Sequence, residues 1–370
     1  MNAARLLNSF LEMVQIDSPS RFEAKMAVHC EKRLEQLGFS VEYDDATNAT
    51  GSDTGNLIAK LPGTAKGQVI LSAHMDCVDP CRAVIPTVEE GIIRSVGNTV
   101  LGSDDKAGIA AIFEAVTSVL EAQDLRPDIT VLLTTCEELS LLGSGALSEN
   151  LFVDGAPCLV FDADGKPGTI IVGAPFHHTL KAEFSGKAAH AGVEPEKGHS
   201  AIQMAAAAIS AMELGRIDEC TTANIGVIEG GHEVNIVSET CVIRGECRSL
   251  HEDRANERKA QMTKACKQAA EQFDGHVQMQ WTQDYPGILY DENDPLVQAL
   301  VEAARAANLE PILATSGGGS DANIMRGKGA KAITLSTGMT NFHSSEEYIL
   351  VKDLEDTTRF CEFAIRQFAE

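Results

Sequence analysis

Basic side chains are scarce in this 370-residue chain: 30 lysines and arginines stand against 54 aspartates and glutamates, a formal net charge of −24. Binding a phosphate backbone requires a stripe of cations, and none can be traced along the sequence, which argues against nucleic acid or anionic membrane as partner. The acid surplus makes a well-solvated surface and can draw in cationic peptides or metal ions. Long apolar runs are missing too, since no stretch approaches the roughly 20 apolar residues of a membrane span. Residues 1–22 have no basic segment followed by an apolar core, so a cytoplasmic protein is expected. The ten cysteines are scattered without a paired framework, and most, such as Cys158, Cys241, Cys266 and Cys361, fall in apolar runs as reduced core residues do. Cys77 and Cys81 lie close to His74, but two thiols without a second pair nearby do not make a thiolate metal site.

What is present is a series of apolar runs that end in a carboxylate or an imidazole. Residues 69–73 read as a buried strand that delivers His74, Met75 and Asp76, and the β-branched run 129–135 delivers Glu137 and Glu138. Residues 158–161 stop at Asp162, with Asp164 two positions on, and residues 332–336 lead into a loop carrying His343. Between the first two runs, residues 100–108 set Asp104 and Asp105 at the mouth of a helix. Its apolar residues Ile109, Ile112, Phe113, Val116, Val119 and Leu120 predict one stripe against a core. Either aspartate suits the N-cap. In an open α/β sheet the carboxyl ends of the strands share one edge, where ligands bind. Two histidines and several carboxylates there suit divalent ions with mixed nitrogen and oxygen ligands, and the inventory exceeds the three protein ligands that one zinc needs.

From residue 69 to 173 strands and helices alternate, as in a mostly parallel sheet, with a hairpin turn predicted at Gly97-Asn98. The character changes from about 175. An alternating strand, an Ala-rich helix, two strands, the charged helix 252–273 and a last strand follow in the β-α-β-β-α-β order of a ferredoxin-like module. After Tyr285-Pro286 the α/β pattern resumes. The expectation is an α/β protein whose mostly parallel-sheet domain is discontinuous over residues 1–174 and 285–370, with an inserted α+β domain at 175–284. The turn Gly317-Gly318-Gly319-Ser320-Asp321 lacks the spacing of a phosphate-binding fingerprint.

The order His74-Met75-Asp76, Gly102-Ser103-Asp104-Asp105-Lys106-Ala107-Gly108, Glu137-Glu138, Phe161-Asp162 and a late His343 resembles the co-catalytic zinc peptidases that include peptidase T, carboxypeptidase G and the aminoacylases. The likeness is greatest to the peptidase T branch, through the Asp-Asp-Lys-Ala-Gly string and an aspartate as the third-strand ligand. It spans residues 74 to 343. It implies two zinc ions, with cobalt or manganese also suited to the donors, bridged by Asp104. His74 and Asp162 would complete one ion, Glu138 and His343 the other. Glu137 would be the general base for a water held between the metals, and Asp76 would orient the His74 ring. A cis peptide bond is implied between Asp104 and Asp105. Lys106 is either a first-turn surface residue or a charge partner for the acidic cluster.

The same resemblance makes residues 1–174 and 285–370 the zinc-binding catalytic domain and the insert a lid and dimerisation domain, so a homodimer is expected. Within the insert His190, in Gly186-Lys187-Ala188-Ala189-His190-Ala191-Gly192, matches the family histidine that stabilises the oxyanion, from its own subunit or across a dimer. Arg248 is a candidate clamp for a substrate carboxylate, because a guanidinium binds one bidentately. Asn235 is a candidate for the substrate backbone, and His177, His178 and His199 take surface or structural places. The implied activity is removal of the N-terminal residue of tripeptides and other short peptides. Alternatives are an N-acyl-amino-acid amidohydrolase or carboxypeptidase of the same fold, and, more remotely, a metal-binding paralogue without catalysis. Two-metal phosphoester hydrolysis finds no basic clamp.

Overall fold

The computed structural model describes residues 1–152 and 155–369. They form two compact units: those of 1–172, 290–315 and 320–369 make the first, and 173–289 with 316–319 the second. The fold is mixed α/β, with a mostly parallel central sheet in the first unit and a separate antiparallel sheet in the second.

The central sheet runs Ser40–Tyr43, Leu57–Leu61, Asp128–Thr134, Gln68–His74, Pro157–Ala163, Lys331–Ser336 and Thr169–Ala174. The four strands from Asp128–Thr134 to Lys331–Ser336 are parallel, so their carboxyl ends come to one edge. The flanking pairs are antiparallel. Strand Gln68–His74 is buried at every position after Gln68, which is why it reads as a continuous apolar run instead of an alternating one.

Helix Ser103–Ala122 is buried at every residue from Ser103 to Val119 and not along one stripe alone. It packs on strands Gln68–His74 and Pro157–Ala163 and is covered by helices Ala3–Val14 and Val351–Gln367. Ala107, Ala110, Ala111 and Ala115 let those neighbours approach on faces that periodicity assigns to solvent. Ile109, Ile112, Phe113, Val116 and Val119 are each at most 1% exposed. Burying side chains of this kind contributes about 1.5–3 kcal/mol each.

The predicted hairpin turn is displaced. Strands Pro86–Glu89 and Ile92–Ser95 pair antiparallel and close at Glu90-Gly91, not at Gly97-Asn98. A two-residue loop of this kind needs positive φ at both central positions, and Glu90 (50°) and Gly91 (79°) supply it.

The second unit carries the sheet Gly215–Arg216, Thr221–Gly230, Thr240–Ser249, Phe176–Ser185, His276–Tyr285, all antiparallel. Helices Ala201–Ala211 and Glu252–Gln272 close over it through a core that includes Leu180, Phe184, Met204, Ile243 and Met262. Ser200 caps the first of these helices, accepting from the Gln203 N–H at 3.3 Å. Among the described residues no helix is long and apolar enough to cross a membrane.

Candidate metal and catalytic centre

Each apolar run of the first unit hands a polar side chain to the shared strand edge. His74, the last residue of its strand, is 2% exposed. Its Nε2 lies 2.9 Å from Asp104 Oδ1 and 3.6 Å from Asp162 Oδ1. The other oxygen of Asp104 lies 3.1 Å from His343 Nε2, which is itself 2.9 Å from Glu138 Oε1. The two oxygens of one carboxylate thus serve two imidazoles that come from opposite ends of the chain.

The adjacent aspartates divide their tasks. The peptide bond between Asp104 and Asp105 is cis, and neither residue has helical φ/ψ. Asp105 Oδ1 accepts from the Gly108 N–H at 3.2 Å, capping the regular part of the helix, while Oδ2 accepts from the His74 N–H at 3.2 Å. Asp104 is left to face the two histidines. Similarly, Asp162 reaches His74 whereas Asp164, two residues on, is exposed.

Asp76 does more than orient an imidazole. The His74 Nδ1 sits 3.0 Å from the Asp76 main-chain oxygen and 3.4 Å from Oδ1. The carboxylate accepts from the N–H of Glu137 at 2.9 Å, from the N–H of Glu138 at 3.3 Å and from Ser20 Oγ at 2.7 Å. It therefore holds the backbone that carries both glutamates. Just upstream, buried Glu23 accepts from the Cys136 N–H at 3.0 Å, where Cys136 has φ of 50°. Neither Ser20 nor Glu23 bears any local sequence signal of this role.

Lys106 is neither a surface residue nor a partner of the acidic cluster. It is 1% exposed and donates to the Ile16 carbonyl at 2.9 Å, because the helix start that carries it is walled in by the N-terminal segment. Cys77 donates to the Asp104 carbonyl at 3.3 Å, and burial pushes its thiol up to about 12. Asp321, which the sequence places in a flexible turn, is buried and accepts from Thr134 Oγ1 at 2.5 Å.

The electrostatics of the cluster are those of crowded acid. Burial raises Glu137 well above its ordinary value, with Asp162, Asp321 and Glu138 adding to the effect. Burial likewise raises Glu138, although His343 opposes it, and lifts Asp162 to about 7 against the hydrogen bond from His74. For Asp104 burial is outweighed by the hydrogen bonds of His343 and His74, and its carboxyl is lowered. Hydrogen bonds to Asp104 and Glu138 raise His343 to about 10. So many buried carboxylates balanced by imidazole alone lack positive charge. Within the cluster, donor atoms of His74, Asp104 and Glu138, and of His74, Asp105 and Asp162, all lie within 4.8 Å of one another. Imidazole nitrogen with carboxylate oxygen is the donor set of divalent transition ions, so residues and group fit.

In the second unit, His190 is exposed in a loop bridged to Ile236, and the Ala191 N–H donates to the Asn235 carbonyl at 2.9 Å. Arg248 is held within the second unit. Its guanidinium donates to Glu246 at 2.9 and 3.3 Å, to the Tyr285 hydroxyl at 3.3 Å and to the Gly317 carbonyl at 3.2 Å. His177 lies between Glu246 at 2.8 Å and Asp284 at 3.3 Å.

The sequence profile of peptidase family M20/M25/M40 matches residues 70–367. An uncharacterized protein of Bacillus subtilis, YqjE, is 40% identical over 371 aligned positions that cover all of both chains. The crystal structure of aminopeptidase PepT from Bacillus cereus superposes with a TM-score of 0.94 at 39% identity, covering 100% of each chain. That of a tripeptidase from Staphylococcus aureus gives 0.95 at 35% identity, over 100% of this chain and 99% of the other.

Proposed function

The chain belongs to peptidase family M20/M25/M40 and is a peptide-hydrolysing metalloenzyme, and we propose that it releases the N-terminal residue of tripeptides and other short, unblocked peptides. Two relatives that match the whole chain, one named an aminopeptidase and the other a tripeptidase, support this choice. The observation that carries the mechanism is the single carboxylate, Asp104, shared between His74 and His343, with Glu138 on one side and Asp162 on the other.

In this reading Asp104 would be shared by two divalent ions, zinc by donor type, with cobalt or manganese also suited. His74 and Asp162 would hold one ion, and Glu138 and His343 the other. Such a pair, when bound, acidifies a water and polarises the scissile carbonyl. Glu137 takes no part in the hydrogen bonds that tie the ligands together, so its carboxylate is available to take a proton from the attacking water and return it to the leaving amine. With no ion bound, burial and the neighbouring carboxylates raise its proton affinity. Asp76 keeps Glu137 and Glu138 in register by holding both backbone N–H groups.

The second unit supplies recognition: Arg248, held in place by Glu246, turns its Nη1 from Tyr285 and the Gly317 carbonyl to a substrate carboxylate, Asn235 bonds the substrate backbone and His190 donates to the oxyanion. It also acts as lid and pairs two subunits into a homodimer, and the protein works in the cytoplasm.

The decisive experiment is hydrolysis of free and N-acetylated tripeptides by the purified protein, before and after chelation and zinc restoration. Release of the N-terminal residue from free tripeptides, lost on chelation and restored by zinc, is expected. Cleavage of blocked substrates alone would overturn the aminopeptidase assignment in favour of an N-acyl-amino-acid amidohydrolase or carboxypeptidase. Absence of any turnover by a protein that still binds metal would make it a non-catalytic paralogue.

A further inference from the structure

Glu347 lies four residues beyond His343, and its carboxylate reaches the segment that leads into Asp104. It is 2% exposed, and both of its oxygens are fully engaged. Oε2 accepts from the backbone N–H of Leu101 at 2.7 Å and of Gly102 at 2.9 Å. Oε1 accepts from Ser103 Oγ at 2.5 Å and from the backbone N–H of Asp104 at 3.1 Å. One carboxylate thus gathers the donors of a segment that is about 245 residues away in sequence and ends at Asp104 itself.

Glu347 also sits at the base of the loop that presents His343. Thr340 and Tyr348 exchange backbone hydrogen bonds at 3.0 Å in both directions, closing the loop between them. His343 stands near its tip with φ of 60°, and the Glu347 N–H donates to the Ser344 carbonyl at 3.2 Å. Nothing in that loop other than Glu347 and His343 reaches the Asp104 segment with a hydrogen bond or ion pair among the described residues.

We propose that Glu347 is a positioning residue that locks the His343 loop to the Asp104 segment and so sets the separation of the ligands on one side of the metal pair. The inference rests on the two-ion reading given above. The side affected is the one built from His343, Glu138 and Asp104. His74 and Asp162 stand on parallel strands of the sheet, outside the clamp, and share with the other side only Asp104. Charge-assisted bonds to backbone N–H groups are strong and directional, so the clamp holds position rather than merely filling space. Partners that orient metal ligands in this way are worth about 10- to 100-fold in metal affinity.

The test uses the full chain stripped by chelator and titrated with Zn2+ against a competing indicator. Wild type is compared with Glu347→Gln and Glu347→Ala. In Glu347→Gln the amide oxygen can still accept from Leu101 and Gly102, but the amide nitrogen then faces the Asp104 N–H, donor against donor. Ser103 can turn its hydroxyl; the Asp104 backbone cannot turn its own. The expected result is two ions in wild type, and in both variants a second ion weakened about 10- to 100-fold, while the first, which loses only the support of the shared Asp104, is weakened less. Activity lost at limiting zinc should return at high zinc, a rescue that general loss of stability would not show. Two ions held as tightly as in wild type, or both weakened in parallel, would overturn the role of Glu347 while leaving the two-ion centre standing. A wild type that binds a single ion would overturn both.

Discussion

Replacing Glu137 by glutamine tests the proposed proton carrier with the least disturbance of shape. The backbone of residue 137 is held by Asp76 at 2.9 Å through its N–H, a bond the substitution leaves intact. The side chain is absent from the hydrogen bonds that link His74, Asp104, Glu138 and His343, so metal content should stay at the wild-type value. The substitution removes a group that can accept a proton and later donate it. Positioned acid–base catalysis contributes about 10²- to 10⁴-fold, equivalent to roughly 3–5 kcal/mol of barrier. A loss of that size in kcat is therefore expected, with KM changed little. Burial, with Asp162, Asp321 and Glu138 adding to it, already favours the uncharged carboxyl, so thermal stability of the chelated protein should hold or rise. Steady-state hydrolysis of a free tripeptide, metal analysis of the same sample and a melting curve give the three readings. A variant with kcat within about twofold of wild type and full metal content would refute the assignment, since a positioned general base is worth at least about 10²-fold. Loss of metal together with activity would instead make Glu137 a ligand.

Two further substitutions probe the frame and the second unit. A Cβ at Gly108 would come within 2.4 Å of the Phe161 carbonyl and 2.5 Å of Asp105 Oδ1, so Gly108→Ala should cost roughly 1–3 kcal/mol by overpacking and displace the Asp105 cap. A urea titration checks this, and an unchanged midpoint would mean that the helix start yields easily. Glu246 is held down at about 2 by the hydrogen bond from His177 first and then by Arg248, against burial. Asp284 is the other charged group facing His177. A carboxylate depressed in the folded state stabilises above its unfolded value of about 4.5 and loses that contribution as pH falls toward about 2. Glu246→Gln should lower stability at pH 6 by on the order of 1 kcal/mol after solvent screening, read as a lower melting temperature, and the difference should shrink by pH 3. A difference that is independent of pH would place the effect in packing.

The elements of the centre were legible in sequence because each is local. A buried parallel strand is a continuous apolar run, and the polar residues at its end mark the sheet edge, so the neighbourhoods of His74, Glu137, Glu138 and Asp162 could be placed from position, while the choice among them, Asp162 over Asp164 included, came from the family resemblance. The layers of the second unit were legible for the same reason, its strands alternating and its helices Ala-rich or charged at fixed spacing. Periodicity misled for helix Ser103–Ala122, whose alanine faces are as buried as its large ones, since small residues signal close packing only when the neighbour is known.

Choices between adjacent residues belonged to the tertiary structure. Asp104 and Asp105 are equivalent as letters, yet one caps the helix and bonds the His74 N–H while the other meets both imidazoles. Lys106 looks like a surface cation and is buried against the Ile16 carbonyl. The supports of the site, Glu23 on Cys136, Asp76 on Glu137 and Glu347 on Asp104, join segments that are 113, 61 and 243 residues apart. A residue type and its near neighbours set which element forms, through backbone preference and apolar spacing. Which backbone N–H a buried carboxylate finds is decided only once strand order has brought distant segments together. The sequence therefore determined the inventory of acids and imidazoles at the sheet edge, and the folded chain determined which of them face one another and which hold the others in place.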